Sequence, residues 1–370
     1  MTTQAADQQQ ISFEVQRSKW REHRFVTTPL PADLAAGQLL FRVDRFAFTA
    51  NNVTYAVAGD LLGYWNFFPA EEGWGRIPAM GFADVIGSRH PQVQEGERVF
   101  GFFPMSTHLT IEASDAGGTH FLDAAAHRGA TAPVYRQYLR TAGDALYQLQ
   151  HEDTLLLLRG LFMTSFLVDD FLADRSDFGA RTFVVSSASS KTAIALASLL
   201  SKRRAGTVVG LTSARNRAFV ESLGCYDRVI LYDAIDSLEN EGAAVFIDHA
   251  GDGAVVNAVH ERFGERLVHS CIVGATHWGA APRAKTLPGA APTFFFAPAQ
   301  IEKRTKEWGA AGFQQRLGAA WEQFRAASER WLHVVRGYGS ADVARVYDDV
   351  LAGRAAASDG HVLSLWERGA

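Results

Sequence analysis

Strand-like and helix-like segments alternate regularly between residues 182 and 273, and this alternation constrains the fold more than any other feature of the sequence. The strand-like segments are continuous runs of β-branched and aliphatic residues, as buried parallel strands require. Strands and helices that alternate at this spacing predict βαβ units, and therefore an α/β fold with a doubly wound parallel sheet. The predicted strands are residues 182–187, 207–212, 228–232, 244–248 and 268–273, with predicted helices at 193–202, 215–223 and 254–263.

Residues 39–111 have a different pattern, in which short apolar runs are separated by glycine, proline and histidine. Such runs predict an antiparallel β domain with a barrel-like or sandwich-like form. Residues 361–365 form a last strand with no helix after it, and we expect this strand to rejoin the β domain. Because 370 residues exceed one compact core, the sequence predicts two domains, residues 1–149 with 337–370 and residues 150–336.

Two longer segments of the second domain are also predicted to be helical. Residues 155–172 are apolar enough to suggest a membrane span, but Arg159, Asp169 and Asp170 interrupt them, which favours a buried helix. Residues 301–336 carry aromatic side chains at roughly helical spacing. An aromatic stripe of this kind is typical of a helix that packs on a core.

Charge and cysteine content exclude several classes of function. The formal net charge of −4 gives no electrostatic reason to expect a nucleic acid or an anionic membrane as partner. Only Cys225 and Cys271 occur, which excludes a disulfide framework and a zinc site built mainly from thiolates. The first ten residues are polar and lack the apolar stretch of a signal peptide, so we expect a cytoplasmic protein.

Three short motifs follow one another in a specific order. They are EGERVFG at residues 95–101, SLGCYD at 222–227, and AGR at 352–354 ahead of the last strand. In this order and spacing they resemble the medium-chain dehydrogenase/reductase superfamily, particularly its zinc-free, quinone-oxidoreductase-like branch. The resemblance extends from about residue 39 to residue 365. It implies a Rossmann-type domain that binds a cofactor at residues 150–336, and a β-rich, GroES-like barrel domain that binds the substrate.

A closer resemblance rests on SASSKTA at residues 187–193 and LFMTSF at residues 161–166. These segments are similar to a bacterial family that is related to the superfamily and has no assigned function. The resemblance therefore implies the fold and the cofactor more directly than it implies a substrate.

The first predicted strand of the Rossmann-type domain leads into a segment without a G-x-G-x-x-G motif, although this is where such domains bind phosphate. Small and hydroxyl side chains replace the glycines. A helix N-terminus favours anions, and hydroxyl and ammonium groups add donors. We therefore predict that a pyrophosphate binds Ser187, Ser189, Ser190, Lys191 and Thr192. The alternative is that the serines only cap the following helix.

The end of the next strand indicates which nicotinamide cofactor binds. NAD enzymes place an acidic residue there for the ribose hydroxyl, whereas NADP enzymes need cations and hydroxyls for the additional phosphate. Here Ser213, Arg215 and Arg217 follow the strand, and no acidic residue occurs before Glu221. The sequence therefore favours NADP, with an ordinary solvated arginine surface as the alternative.

Asp248 and Gly274 lie at the ends of the two later strands, at 244–248 and 268–273. The carboxyl edge of a doubly wound sheet is where a nicotinamide binds, so both residues are predicted to contact the cofactor. Asp248 has a second interpretation, as a cap for the helix that begins near residue 254.

The superfamily resemblance also indicates how a substrate is activated. Zinc-dependent relatives carry a cysteine at the first turn of the β domain, where this chain has Asn51, Asn52 and Tyr55, and no cysteine precedes Cys225. We therefore expect no metal site. Without a metal, hydride transfer needs a hydrogen-bond donor for the substrate oxygen. Tyr55 aligns with the tyrosine of zinc-free relatives, so Tyr55, Asn51 and Asn52 are candidate catalytic residues, although Tyr55 equally fits a core position.

These residues and the resemblance together indicate an NADPH-dependent, zinc-independent reductase of a carbonyl compound, a quinone or a conjugated enone. A redox-neutral lyase or isomerase on the same fold, or an NADPH-binding protein without catalysis, are the alternatives. Aromatic residues at 64–68 and 102–103 suggest an apolar or aromatic small-molecule substrate, although core packing explains them equally well. The sequence is compatible with a homodimer.

Overall fold

The computed structural model describes residues 9–273, 284 and 286–369, and it divides the chain into two compact units. One unit combines the two ends of the chain, Met1–Leu157 and His333–Ala370. The other unit is the continuous segment Leu158–Leu332.

Strands and helices follow the chain in this order. The strands are β1 (Gln9–Gln16), β2 (Lys19–Pro29), β3 (Gln38–Phe48), β4 (Trp74–Gly75), β5 (Pro78–Ser88), β6 (Arg98–Pro104), β7 (His108–Ser114), β8 (His120–Asp123), β9 (Gln137–Arg140), β10 (Thr182–Val185), β11 (Thr207–Thr212), β12 (Arg228–Leu231), β13 (Ala244–Asp248), β14 (Leu267–Ile272), β15 (Pro292–Phe294), β16 (His333–Tyr338) and β17 (Asp359–Ser364). The helices are α1 (Ala50–Val57), α2 (Glu152–Asp174), α3 (Lys191–Lys202), α4 (Arg217–Ser222), α5 (Gly253–Phe263), α6 (Ala297–Ser328) and α7 (Gly339–Leu351).

The unit that holds both chain ends is built on a closed antiparallel barrel. The hydrogen-bonded order is β3–β5–β6–β9–β8–β7, and β7 pairs with β3 again, which closes the sheet. Large aromatic side chains fill the interior, since Phe41, Phe103, Phe121 and Tyr138 are all fully buried. The ring of Tyr138 lies 5.1 Å from that of Phe41 and 5.2 Å from that of Phe103. The predicted β-rich, GroES-like barrel is therefore confirmed.

The last strand of the chain joins this barrel. Strand β17 pairs antiparallel with β3, and β16 pairs in parallel with β17, so the prediction that the final strand rejoins the β domain is confirmed. The prediction that helix continues through residues 301–336 is wrong at its end. Helix α6 stops at Ser328, and His333–Tyr338 is strand β16 because it hydrogen-bonds along its whole length to β17.

The continuous unit is built on a parallel sheet with the order β12–β11–β10–β13–β14–β15. If these strands are numbered one to six along the chain, the order is 3-2-1-4-5-6, which is that of a dinucleotide-binding Rossmann sheet. Side chains alternate between two buried faces. Phe183 and Val185 pack on α2 and α3, whereas Val184 and Phe246 pack on α5. The predicted doubly wound sheet is confirmed, with strands β11 and β13 at the predicted bounds.

Helix α2 contains the apolar segment that the sequence analysis interpreted as a buried helix. Its two interrupting carboxylates are paired, since Asp169 binds Arg203 at 2.6 Å and Asp170 binds Arg304 at 2.6 Å. Within the part of the chain that the structure describes, no helix combines the length and apolar composition needed to cross a lipid bilayer.

Candidate functional site

The loop after β10 makes a tight turn at Ser187. Its backbone is left-handed at this residue (φ 50°), which is uncommon for any residue other than glycine. The carbonyl of Ser187 accepts from the N–H of Ser190 at 2.7 Å, and the N–H of Ser187 donates to the hydroxyl of Tyr232 at 3.0 Å. Helix α3 starts at Lys191. The chain therefore passes directly from a buried strand into a helix N-terminus.

Ser186 links the carboxyl ends of β10 and β13. Its hydroxyl donates to Asp248 Oδ1 at 2.7 Å and accepts from the N–H groups of His249 (2.8 Å) and Ala250 (3.0 Å). The same oxygen of Asp248 accepts from the N–H groups of Ala250 and Gly251. Both side chains are buried. Because β10 and β13 are neighbours at the reversal of strand order, this network fixes the edge at which such sheets bind ligands.

The start of α3 combines a serine cap with exposed polar groups. Ser190 is the N-cap, and its Oγ accepts from the N–H of Ala193 at 3.3 Å. The hydroxyl of Ser189 accepts from the side-chain amide of Asn216 at 3.0 Å. Lys191 and Thr192 form the first turn and are both partly exposed. Since the first N–H groups of a helix have no acceptor within it, this terminus is suited to an anion.

Space for the loop comes from a glycine on the neighbouring strand. A Cβ at Gly210 would lie 2.9 Å from the methyl carbon of Ala188 and 2.8 Å from the ring of Tyr226. The hydroxyl of Tyr226 donates to the carbonyl of Ala188 at 2.9 Å, and the N–H of Ala188 donates to Leu211 on β11. The backbone at Ala188 therefore lies directly against β11.

The segment after β11 carries the residues predicted to select NADP. Ser213 is partly exposed, and Arg215 and Arg217 are exposed. Arg217 is the first residue of α4, and its Nε lies 2.8 Å from a carboxylate oxygen of Glu221, one helical turn further on. Exposed pairs of this kind stabilise a helix by less than about 1 kcal/mol. The arginine can therefore leave this partner for a stronger anion.

The segment after β13 has two features that the sequence did not indicate. The cap of α5 is Asp252, whose carboxylate accepts from the N–H of Ala254 at 2.8 Å, so Asp248 is not the helix cap that its second interpretation required. His249 is buried, and burial lowers the pKa of its imidazole to about 3. Gly274, which was predicted to contact the cofactor, lies outside the described residues.

In the barrel unit, Asn52 holds helix α1 in position. Its side-chain oxygen accepts from the N–H of Thr49 at 2.8 Å, which completes a capping box at the start of the helix. Its side-chain amide donates to the carbonyl of Pro78 on β5 at 3.0 Å. The amide group of Asn52 therefore bonds to the protein at both its oxygen and its nitrogen.

Asn51 and Tyr55 lie one turn apart on α1 and contact each other. The side-chain amide of Asn51 donates to the hydroxyl oxygen of Tyr55 at 3.3 Å. The pKa of Tyr55 is raised, first because the phenol is buried and then because Tyr135 lies nearby, while the bond from Asn51 opposes the rise. Tyr55 is therefore a neutral hydrogen-bond donor at neutral pH.

Four contacts that organise these segments could not be read from the sequence. Ser186, Asn216 and Tyr232 hold the loop after β10, and Tyr135 lies close to Tyr55. Ser186 lies within the first predicted strand of the sheet, and Asn216 lies between the two arginines predicted to bind the cofactor. A polar side chain near the end of a strand suggests that it forms a hydrogen bond there. The sequence does not show which residue is the partner in that bond.

Among the described residues, no cluster of three or more histidine, cysteine, aspartate or glutamate side chains is arranged to hold a metal ion. The sulfur of Cys271 is buried, and burial raises the pKa of its thiol to about 12. This thiol therefore stays protonated at neutral pH.

The chain is similar in fold to several solved structures. The yhdH oxidoreductase from Salmonella enterica, in complex with NADP, is 15% identical over 96% of this chain and 99% of that chain, with a TM-score of 0.55. CurA from Vibrio vulnificus, in complex with NADPH, is 14% identical over 92% and 94%, with a TM-score of 0.59. A mutant form of enoyl thioester reductase from Candida tropicalis is 11% identical over 96% and 99%, with a TM-score of 0.58. The chain thus has the fold of the medium-chain dehydrogenases/reductases.

The sequence places the chain in a narrower group. Residues 46–356 match a family that is described as a protein of unknown function, DUF2855. The protein belongs to this family, in agreement with the resemblance to a family of unassigned function. No curated protein matches the sequence.

Proposed function

We propose that this protein is an NADPH-dependent reductase that acts, without zinc, on a carbonyl compound, a quinone or a conjugated enone. The observation that carries the proposal is the loop at residues 186–190, which leads from β10 to α3 at the reversal of strand order. In open α/β sheets this is where dinucleotides bind. The related yhdH and CurA structures contain NADP and NADPH, respectively, which supports the same cofactor here.

The residues at the start of α3 fit a pyrophosphate. The helix terminus favours negative charge, and the ammonium group of Lys191 adds a full positive charge. The hydroxyl of Ser189 accepts its bond from Asn216, so its own hydrogen can be donated to a phosphate oxygen. Ser187 and Thr192 would add further hydroxyl donors, and Ser190 caps the helix.

Ser213, Arg215 and Arg217 support NADPH rather than NADH. Each can donate to the additional phosphate, and guanidinium groups bind phosphate oxygens in pairs. The surface pair of Arg217 with Glu221 is weak enough to be replaced by a phosphate. Asp248 supports this end of the sheet through Ser186, and Gly274 is retained as a proposed cofactor contact.

The barrel unit supplies the group that acts on the substrate oxygen. When bound, NADPH supplies a hydride for an electrophilic carbon. Tyr55 donates a hydrogen bond to the substrate oxygen, and transfers its proton if that oxygen becomes an alkoxide or enolate. Asn51 donates to the oxygen of Tyr55 and so stabilises the charge left on the phenol. Asn52 keeps α1 in place.

Cofactor titration of wild type and Arg215→Ala tests the proposal. Losing one charge-assisted bond costs about 1.5–3 kcal/mol, so we expect NADPH to bind roughly 10- to 150-fold more weakly to Arg215→Ala while NADH binding is unchanged. Arg181→Ala, at an exposed arginine preceding β10 on the amino edge of the same sheet, is the matched control. Equal affinity of wild type for both cofactors, or the same loss in the control, would contradict the assignment.

A second experiment separates the reductase from its alternatives. Loss of NADPH absorbance during incubation with a panel of ketones, quinones and enones identifies a reductase. Product formation without loss of NADPH would instead identify a redox-neutral lyase or isomerase. Binding without any turnover over the whole panel would favour a non-catalytic NADPH-binding protein.

A further inference from the structure

Three tyrosine rings lie together in the barrel unit although they are distant in sequence. Tyr55 belongs to α1, Tyr64 to the turn that follows it, and Tyr135 to the connection before β9. The ring of Tyr64 lies 4.8 Å from that of Tyr55 and 6.2 Å from that of Tyr135, edge to face in both cases. Such contacts are the favourable geometry for aromatic pairs.

Buried phenylalanines pack against these rings. Phe67 and Phe102 lie 5.4 and 5.7 Å from the ring of Tyr135, and Phe102 lies 5.9 Å from that of Tyr55. Both phenylalanines are buried, whereas each of the three tyrosines keeps part of its surface exposed. The group therefore consists of a buried apolar base and three partly exposed tyrosines.

Hydrogen bonds arrange the three hydroxyls. Burial raises the pKa of Tyr64, and a side-chain hydrogen bond with Tyr135 raises it further. A phenol can accept one hydrogen bond and donate another, so Tyr135 can donate to a ligand while it accepts from Tyr64. The hydroxyl of Tyr55 accepts from the side-chain amide of Asn51, so it can also donate its own hydrogen to a ligand. Two phenol hydrogens in one aromatic cluster are thus available to a ligand.

A buried arginine, Arg128, forms a hydrogen bond with the backbone of Tyr135. Arg128 is fully buried and pairs with Asp123 at 3.1 Å, and one of its nitrogens also donates to the hydroxyl of Tyr138 at 3.0 Å. Its other terminal nitrogen donates to the backbone carbonyl of Tyr135. The guanidinium group also lies 5.4 Å from the ring of Phe67. Tyr135 is therefore fixed at its backbone by a rigid buried group rather than carried on an unsupported loop.

The cluster that contains the three tyrosines is largely apolar. Phe67, Phe68 and Phe102 form its buried part, and Met80 and Leu109 pack against them. Phenol donors stabilise an anionic oxygen most strongly where apolar groups exclude water. Aromatic walls also favour a flat ligand, which stacks on them or meets their edges.

We propose that Tyr135, oriented by Tyr64, is a second hydroxyl donor that binds the substrate oxygen together with Tyr55. The substrate is then a flat, apolar conjugated ketone or quinone whose oxygen becomes anionic during reduction. This inference rests on the proposed function, since it names the substrate class and a further residue of the same site. Tyr64 is a positioning residue in this arrangement.

Binding of 4-nitrophenol without any cofactor tests the inference, because its phenolate is a flat aromatic oxyanion with a distinct absorbance. Donors that favour the anion lower the pH at which bound nitrophenol ionises. We expect this lowering in wild type, and roughly 10- to 100-fold weaker phenolate binding in Tyr135→Phe and in Tyr55→Phe. Tyr64→Phe should bind more weakly by a smaller factor and shift the ionisation of bound nitrophenol towards its value in water.

The control is Tyr338→Phe, a partly exposed tyrosine of β16 in the same unit, which should bind like wild type. If Tyr135→Phe keeps its far-ultraviolet circular dichroism and binds nitrophenolate like the control, the inference is overturned. It is also overturned if wild type does not bind nitrophenolate. The outcome is independent of the proposed cofactor, because an absence of NADPH binding would refute the reductase while leaving the nitrophenol titration unchanged.

Discussion

Replacing Ser186 with alanine should strongly destabilise the unit built on the parallel sheet. The hydroxyl of Ser186 is a donor to the buried carboxylate of Asp248 and the acceptor for the N–H of His249. A hydrogen bond to a charged group contributes about 1.5–3 kcal/mol, and a buried N–H left without an acceptor costs about 1–3 kcal/mol. The N–H of Ala250 keeps its bond to Asp248. We therefore expect the unfolding free energy to fall by about 2.5–6 kcal/mol.

Urea unfolding followed by circular dichroism and tryptophan fluorescence measures this loss. Ser237→Ala is the matched control, because Ser237 lies in the same unit but is exposed and donates to the nearby carbonyl of Ala234. The control should change the unfolding free energy by less than about 0.5 kcal/mol. A loss below about 1 kcal/mol in Ser186→Ala would refute the conclusion that this hydroxyl joins the two strand ends.

Two further predictions concern the same part of the sheet. The folded-state pKa of His249 is about 3, below its ordinary value of 6.5, so between these pH values only the unfolded chain binds this proton. The unfolding free energy should therefore fall as the pH decreases from 6.5 towards 3. Urea unfolding at several pH values should give a shallower decrease for His249→Gln than for wild type, and equal slopes would contradict the prediction. Gly210→Ala should lower the unfolding free energy by about 1–3 kcal/mol and weaken NADPH binding, because the new methyl group would lie too close to Ala188 and Tyr226. Adding Ala188→Gly should restore part of the loss, and a double variant no better than the single one would contradict this account.

The parallel sheet could be predicted because its strands are specified locally. Thr207–Thr212 and Ala244–Asp248 consist mostly of β-branched and apolar residues, and the structure gives them the predicted bounds. Strands that depend on distant partners could not be predicted in this way. His333–Tyr338 follows a long helical pattern and is a strand because it pairs with β17.

The hairpin of β1 and β2 is another element that local pattern does not reveal. Strand β2 is rich in charged residues, which sequence patterns associate with helices or loops rather than strands. The structure pairs it with β1, where buried Glu14 binds the guanidinium groups of Arg24 at 2.8 Å and Arg76 at 2.9 Å. An ion pair across the hairpin therefore stabilises the charged strand, and Arg76, which is distant in sequence, binds the same carboxylate.

The candidate site was predictable in its location but not in its internal contacts. The position of the loop follows from the order of strands and helices, which is a local property of the sequence. Its hydrogen bonds come from Asn216, Tyr226 and Tyr232. Asn216 lies between β11 and α4, Tyr226 between α4 and β12, and Tyr232 directly after β12. Those contacts depend on how neighbouring strands are placed side by side, and residue spacing alone does not contain that information.

The loop after β10 contains no glycine. Other residues perform the functions that glycines have in the loops of other Rossmann domains. Those roles are a tight turn, a close backbone approach to phosphate, and close packing of helix on strand. Ser187 makes the turn with a left-handed backbone, and its two backbone bonds, to Tyr232 and Ser190, offset a strain of about 1 kcal/mol. Gly210 provides the close packing from the neighbouring strand instead of from the loop. Under the proposed function, the remaining role, close approach to phosphate, falls to side chains that donate hydrogen bonds themselves. Phosphate binding would then depend on hydroxyl and ammonium groups that single substitutions can remove.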